Sequence, residues 1–249
     1  MTRMAKTLVR TYVRGFDEEV LRGGIPRGHV VLLRGASGTM KSSLAYSILY
    51  HNALQGVPGL YVTLEQSAPS LLEHVASLGL RSTAVSDVLP ILDLSRGREH
   101  LEGVAARMEE IAGGKAAEGS LLAVFKGKIL DLHRRLGFQI LAIDSWDAIE
   151  LVLEFRDRRA ETFAFFEWLR DLGVTSFLVS EEPAQGRRDG ALEEEFLADG
   201  IIHLRMAPVT ETSYQRRVQC VKMRSVNQDS DDRTLLFENG RFEVARAIG

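Results

Sequence analysis

Cysteine is nearly absent from this chain. Cys220 is the one copy in 249 residues, so no intrachain disulfide can form, and without Cys/His clusters there is no structural zinc site to expect. A reducing compartment follows. Long apolar runs are missing as well: Arg3, Lys6 and Arg10 mark the start, but Met4-Ala5 and Leu8-Val9 never extend into a signal peptide's apolar core, and no stretch approaches membrane-spanning length. The expectation is a cytoplasmic protein with no membrane partner. Charge of one sign is also lacking. A formal net charge of -3 gives no global attraction to DNA or anionic lipid, so a nucleic-acid role needs a local basic patch. Proline is scarce, at 6 residues, and there is no repeat or low-complexity tract, which excludes a disordered or collagen-like chain.

What is present is an ordinary globular composition, 45% hydrophobic and 26% charged, long enough for one large α/β domain. Short apolar runs at His29 to Arg34, Gly59 to Leu64, Val88 to Leu94, Gln139 to Asp144, Val174 to Ser180 and Gly200 to Arg205 predict strands. Between them, helical spacing covers Lys41 to Leu54, Ala68 to Leu78, Glu99 to Ala112, Leu121 to Leu136 and Arg159 to Leu172, and residues 113 to 119 read as a loop. Alternation of this kind gives a mostly parallel sheet with helices on both faces. From Tyr214 the pattern turns β-rich, and Asn239-Gly240 between Leu235 to Glu238 and Arg241 to Val244 predicts a hairpin with a type I′ turn. An antiparallel extension of the main sheet is expected there, with the acidic run Asp229 to Asp232 as a solvated turn.

The strongest local signal is Gly35-Ala36-Ser37-Gly38-Thr39-Met40-Lys41-Ser42, placed after a strand and before a helix and continued by Ser43. It nearly fits G-x-x-x-x-G-K-[ST], in which backbone N–H groups and a helix N-terminus face phosphates, the lysine neutralises β/γ oxygens and the hydroxyl coordinates magnesium. ATP and Mg2+ are the expected ligands, with Lys41 and Ser42 supplying those two side chains. Met40 departs from the motif, standing where it has a second glycine. Positive φ there would cost roughly 1–2 kcal/mol, whereas helical dihedrals would accommodate methionine. Asp144, ending an apolar strand, is the expected second magnesium carboxylate; aspartates also cap helices, so the assignment rests on its pairing with the loop. Glu65 follows the Leu60 to Leu64 run at the carboxyl edge of the sheet, where a carboxylate can orient and deprotonate attacking water. A surface charge opening the next helix is the plainer alternative.

In order along the chain, Arg14-Gly15-Phe16-Asp17-Glu18, Gly23-Gly24-Ile25-Pro26-Arg27-Gly28, the phosphate loop, Gly59 to Glu65, Ile143-Asp144-Ser145, Leu178 to Glu181, Ala198 to Ile202 and Val221-Lys222-Met223-Arg224 resemble the KaiC-like branch of the RecA superfamily over nearly the whole length. The resemblance implies a single RecA-like P-loop ATPase domain over 1–249, with residues 1–28 as a lead-in and 206–249 as the β extension. It also implies catalysis at subunit interfaces of a ring-shaped homo-oligomer, a hexamer among the candidates, with Lys222 and Arg224 reaching a neighbour's nucleotide. Strand geometry agrees, since residues two apart lie on one face roughly 6–7 Å from each other. Two departures point to slow or lost turnover: Met40, and Gln66 where strongly hydrolysing members carry a second acidic residue. Clock function and autophosphorylation are not implied, because the clock members have two such domains. Three functions stay open at this point: a regulatory ATPase controlling an unidentified protein partner, a single-stranded-DNA-binding recombination accessory protein, and a nucleotide-binding scaffold without turnover. The DNA reading would use Arg156, Arg158 and Arg159 or Arg187 and Arg188. It is not favoured, since Glu193-Glu194-Glu195 follows the second pair.

Overall fold

In a computed structural model, residues 8–96, 99, 103, 121–153, 155, 157–182 and 193–247 are described. Among them nine strands form one sheet in the order β11-β10-β9-β8-β3-β7-β6-β4-β5. These are β3 (Val30–Gly35), β4 (Gly59–Thr63), β5 (Ile91–Asp93), β6 (Ile140–Asp144), β7 (Thr175–Glu181), β8 (Gly200–Pro208), β9 (Tyr214–Met223), β10 (Arg233–Glu238) and β11 (Arg241–Arg246), while β1 (Leu8–Val9) and β2 (Ile25–Pro26) pair separately. From β8 through β3, β7, β6, β4 and β5 every pairing is parallel; β8 to β11 are joined antiparallel. The α-helices among the described residues are α1 (Lys41–Ala53), α2 (Ala68–Ser77), α3 (Leu121–Leu136), α4 (Trp146–Val152), α5 (Arg158–Leu172) and α6 (Glu193–Leu197).

The continuous apolar runs arise because the central strands are buried on both faces. Val31 and Leu33 of β3 join the core cluster that includes α1, while Val30 and Leu32 join the one that includes α3, α4 and α5. α1 lies over the middle of the sheet and all its residues but Ser42 are buried. Its outer side is covered by the first strands and by β9 to β11: Val9, Val13, Phe16, Val20, Ile25, Phe242 and Val244 share its cluster. Residues 8–28 of the lead-in therefore contribute to the core. Within it the buried Asp17 accepts hydrogen bonds from Thr11 N (2.9 Å), Thr11 Oγ1 (2.8 Å) and Tyr12 N (3.0 Å).

Most predicted elements recur within a residue or two at their ends. β5 is shorter than the expected Val88 to Leu94, and β8 runs on to Pro208, past the expected end at Arg205. The hairpin turn has φ of 50° at Asn239 and 75° at Gly240, the two left-handed residues a type I′ turn requires. The acidic run is not simply solvated: Asp229 pairs with Arg233, and Asp232 with Arg205. Most of the helix expected over Glu99 to Ala112, and the 113–119 loop, lie outside the described residues.

Candidate functional site

The carboxyl ends of β3, β4, β6 and β7 converge on one cleft of about 340 Å³, lined by Ser37, Gly38, Met40, Lys41, Ser42, Ser43, Glu65, Gln66, His74, Asp144, Ser145, Val179 and Glu181. Its floor is the loop from β3 to α1. Gly35 has φ 157°, and a Cβ placed there would lie 1.9 Å from the Leu204 carbonyl oxygen, so no other residue fits between β3 and β8 without moving backbone. Gly38 has φ 80°. Inside the loop, Thr39 Oγ1 and Lys41 Nζ both donate to the Ala36 carbonyl, at 2.8 and 3.0 Å.

Met40 takes the left-handed conformation, φ 72° and ψ 28°, at the N-cap of α1. Of the two conformations open to it on sequence grounds, the strained one is present. Its half-buried side chain packs against the core containing α1. Methionine offers no capping oxygen, and no acidic residue sits in the first turn. The N–H groups at the start of a 13-residue helix thus face the cleft without a side-chain acceptor, an arrangement suited to an anion.

Asp144 is buried and accepts a 2.6 Å hydrogen bond from the Tyr61 hydroxyl and another from Ser42. Burial pushes its carboxyl above the ordinary range; the Tyr61 and Ser42 hydrogen bonds pull it back, Glu65 pushes it up, and Lys41 pulls it down. A hydroxyl and a carboxylate in contact, beside a lysine, form the hard-oxygen donor pair that magnesium takes from protein, with phosphates and water supplying its other ligands. Residues and metal therefore fit. Glu65 is exposed to the cleft, and its carboxylate accepts a hydrogen bond from Ser145. Ser145 also caps α4 through Ala148 N. Gln66 lines the same cleft.

The structure thus brings together residues 37, 38, 40 to 43, 65 and 144, while Gly35, Ala36 and Thr39 build the loop beneath them. Lys222 and Arg224 are elsewhere on the surface. Both point to the end of α6: Lys222 Nζ donates to the Glu195 (3.0 Å) and Phe196 (3.4 Å) carbonyls, and Arg224 to the Phe196 (3.0 Å) and Leu197 (3.3 Å) carbonyls and to Asp199 (2.7 Å). Among the arginines weighed for DNA, Arg158 opens α5 and pairs with Glu150 (2.9 Å) and Glu194 (3.6 Å); Arg156, Arg187 and Arg188 lie outside the described residues. Sequence reasoning missed Tyr61, His74, Ser145 and Glu181 as cleft or supporting residues. Ser145 had a signal, being adjacent to Asp144; Tyr61 and His74 had none, since each reaches the site only through folding. A larger groove of about 510 Å³, lined by Asp157, Arg159, Ala160, Phe163, Phe196 and Leu197, holds neither the loop nor a magnesium donor pair.

Comparison with known proteins converges on the same architecture. A family model described as "ATPase: KaiC" matches residues 9–245. The circadian clock protein KaiC2 of Synechocystis sp. is 29% identical over 94% of this chain and 39% of its own length, and a UPF0273 protein of Aeropyrum pernix is 33% identical over 79% of this chain and 77% of its own. The crystal structure of a KaiC-like protein from Pyrococcus horikoshii superposes with a TM-score of 0.77 at 26% identity, covering 97% of this chain and all of that one. The chain spans about two fifths of the length of the clock relatives it matches. Among the described residues no helix is long and apolar enough to cross a membrane.

Proposed function

We propose a function from one premise: the chain belongs to the KaiC ATPase family. It acts as a regulatory ATPase that binds ATP with magnesium in the phosphate-loop cleft and hydrolyses it slowly at the subunit interfaces of a ring-shaped homo-oligomer, thereby controlling a protein partner in the cytoplasm. The observation that carries this reading is the uncapped N-terminus of α1, with Lys41 and the hydrogen-bonded pair Ser42 and Asp144 facing one cleft.

In this reading the loop and first-turn N–H groups hold the phosphate chain and Lys41 neutralises its outer oxygens. Ser42 and Asp144 hold magnesium, which when bound neutralises phosphate charge. Glu65, fixed by Ser145, orients water and accepts its proton. Lys222 and Arg224 complete a neighbouring subunit's site. Two features slow turnover: the strained Met40 at the loop, and Gln66, which lines the cleft without a second carboxylate. The committed ion pairs of Arg158 weigh against the DNA-binding alternative.

The test is mass-resolved chromatography with and without ATP and magnesium, paired with phosphate release, on the unmodified protein and Lys41→Ala. Nucleotide-linked assembly and slow phosphate release, both lost in the variant, are expected. An ATP dissociation constant unchanged by Lys41→Ala would refute the assignment of the cleft, and binding without assembly or turnover would leave only the scaffold reading.

A further inference from the structure

His74 lines the phosphate-loop cleft, yet the chemistry proposed above gives it no part. It lies on α2, whose placement is fixed independently: Leu71 and Val75 are fully buried, Ser67 caps the helix by accepting from Ser70 N, and Asp93 accepts from Ala68 N at 2.7 Å. From this docked helix the exposed imidazole reaches across to α1, where its Nε2 is 2.9 Å from Ser43 Oγ. Ser43 is buried and immediately follows Lys41 and Ser42. The His74 ring is therefore held beside the first turn of the helix whose N–H groups face the cleft.

The charges around it show what the ring can supply. Among the described residues lining the cleft, Lys41 on α1 is the one permanent cation, whereas Glu65 after β4, Asp144 at the end of β6 and Glu181 at the end of β7 are carboxylates. Glu73 neighbours His74 on α2 itself, and Asp93 on β5 is engaged with the start of that helix. A polyphosphate entering this cleft meets more negative than positive side chains, and a second cation there strengthens binding. Imidazole is the side chain that can provide one conditionally, because it ordinarily titrates near pH 6.5 and donates from both nitrogens once protonated. The partner hydroxyl suits either state, since Ser43 can donate to a neutral ring nitrogen or accept from a protonated one.

We propose that His74 is a proton-switched phosphate-binding residue, so that the cleft takes nucleotide more tightly as pH falls through the neutral range. The proposal rests on the nucleotide reading of the cleft. If phosphate raises the proton affinity of the imidazole by about one pH unit, linkage makes binding about tenfold tighter with the ring protonated.

The probe is ADP with magnesium, which avoids turnover, titrated calorimetrically at about pH 6 and about pH 8, either side of the ordinary imidazole range. Unmodified protein is expected to bind several-fold tighter at the lower pH, below the tenfold limit because the ring is only partly titrated between the two values. His74→Gln, a neutral side chain on an exposed helix position, should lose most of that difference; changes in ligand protonation are common to both proteins and cancel. His74→Lys should bind tightly at both values and serves as a second variant, with circular dichroism checking that each folds. Equal pH dependence in the unmodified protein and His74→Gln would overturn the role of His74 while leaving the cleft assignment intact. No ADP binding by the unmodified protein at either pH would instead overturn the nucleotide reading, and this proposal with it.

Discussion

Replacing Met40 separates backbone strain from side-chain packing at the phosphate loop. At φ 72° and ψ 28° a residue with a Cβ is strained by roughly 1–2 kcal/mol, and glycine removes that strain. Glycine also adds about 0.5–1 kcal/mol of unfolded-state entropy, and losing the half-buried side chain forfeits on the order of 1 kcal/mol of apolar burial. For Met40→Gly the terms nearly cancel. Met40→Ala loses the same packing but keeps the strain, so it should be less stable than the glycine variant by about 0.5–1 kcal/mol, or a few degrees at most in Tm for a domain of this size. Urea unfolding with a common m-value measures the difference. An alanine variant more stable than the glycine one by about 0.5–1 kcal/mol would mean that no strain resides at this position. The same pair tests function: Met40→Gly should raise ATP affinity or turnover by freeing the loop, and if it does neither, the proposal of slow turnover rests on Gln66 alone.

Gly35→Ala should destabilise the fold by at least about 2 kcal/mol in urea unfolding, because its Cβ would fall 1.9 Å from the Leu204 carbonyl; near-neutral stability would mean β3 and β8 can separate cheaply. Tyr61→Phe deletes the 2.6 Å hydrogen bond to Asp144, a loss worth about 1.5–3 kcal/mol for a charged acceptor. Removing a bond that favours the ionised form raises the Asp144 carboxyl further, so the acid limit of magnesium-dependent nucleotide binding should move to higher pH; an unmoved limit would show that Tyr61 does not tune the carboxylate. Lowering the pH through the acid range should weaken the Asp199 ion pairs. Burial pushes this carboxyl up, but the Val30 N–H, Arg224 and Arg170 outweigh that and hold it below the ordinary range, so its stabilisation is present at neutral pH and lost on acidification; Arg224→Ala should flatten that part of the stability curve. Mixing Lys41→Ala with Lys222→Ala/Arg224→Ala subunits should partly restore the hydrolysis each lacks, and no recovery in an assembly containing both would refute action across an interface.

The sheet and the phosphate loop were legible because both are written locally. Double burial turns each central strand into a short apolar run, and Asn239-Gly240 states its own turn chemistry. Short elements fixed by tertiary contacts were not legible. α4 begins two residues after Asp144, behind its cap Ser145, and is held by Trp146 and Ile149, both fully buried, over too few residues to show a period. α6 read only as an acidic run; it is shaped by partners distant in sequence, with Arg34 pairing Glu195 and Arg158 near Glu194. α1 illustrates the converse. Its position in the middle of the fold buries Tyr46, Ser47, Tyr50, His51 and Asn52 along with its apolar residues, so no apolar stripe reveals how it packs.

The contacts of Lys222 and Arg224 change what their proposed role requires. On sequence grounds their removal should leave the free subunit's folding intact, because neither is in the core. In the structure both satisfy carbonyls at the end of α6, groups a helix leaves without internal partners, and Arg224 also pairs with Asp199, whose other carboxylate oxygen accepts from Val30 N at 3.1 Å. Asp199 thus links the start of β3, the strand that ends in the phosphate loop, to Arg224, one of the cations that would serve a neighbour. For either cation to engage a neighbour's phosphates it must give up carbonyl contacts worth about 1 kcal/mol each, and the gain across the interface has to exceed that loss. The double alanine variant consequently acts twice, by removing the cations and by uncapping α6. Its stability as a free subunit has to be measured before loss of assembly is assigned to the interface. Arg224→Lys supplies the contrast: it keeps a charge but loses the planar fork that spans Phe196, Leu197 and Asp199, so it weakens the α6 cap while retaining a cation for the neighbouring nucleotide.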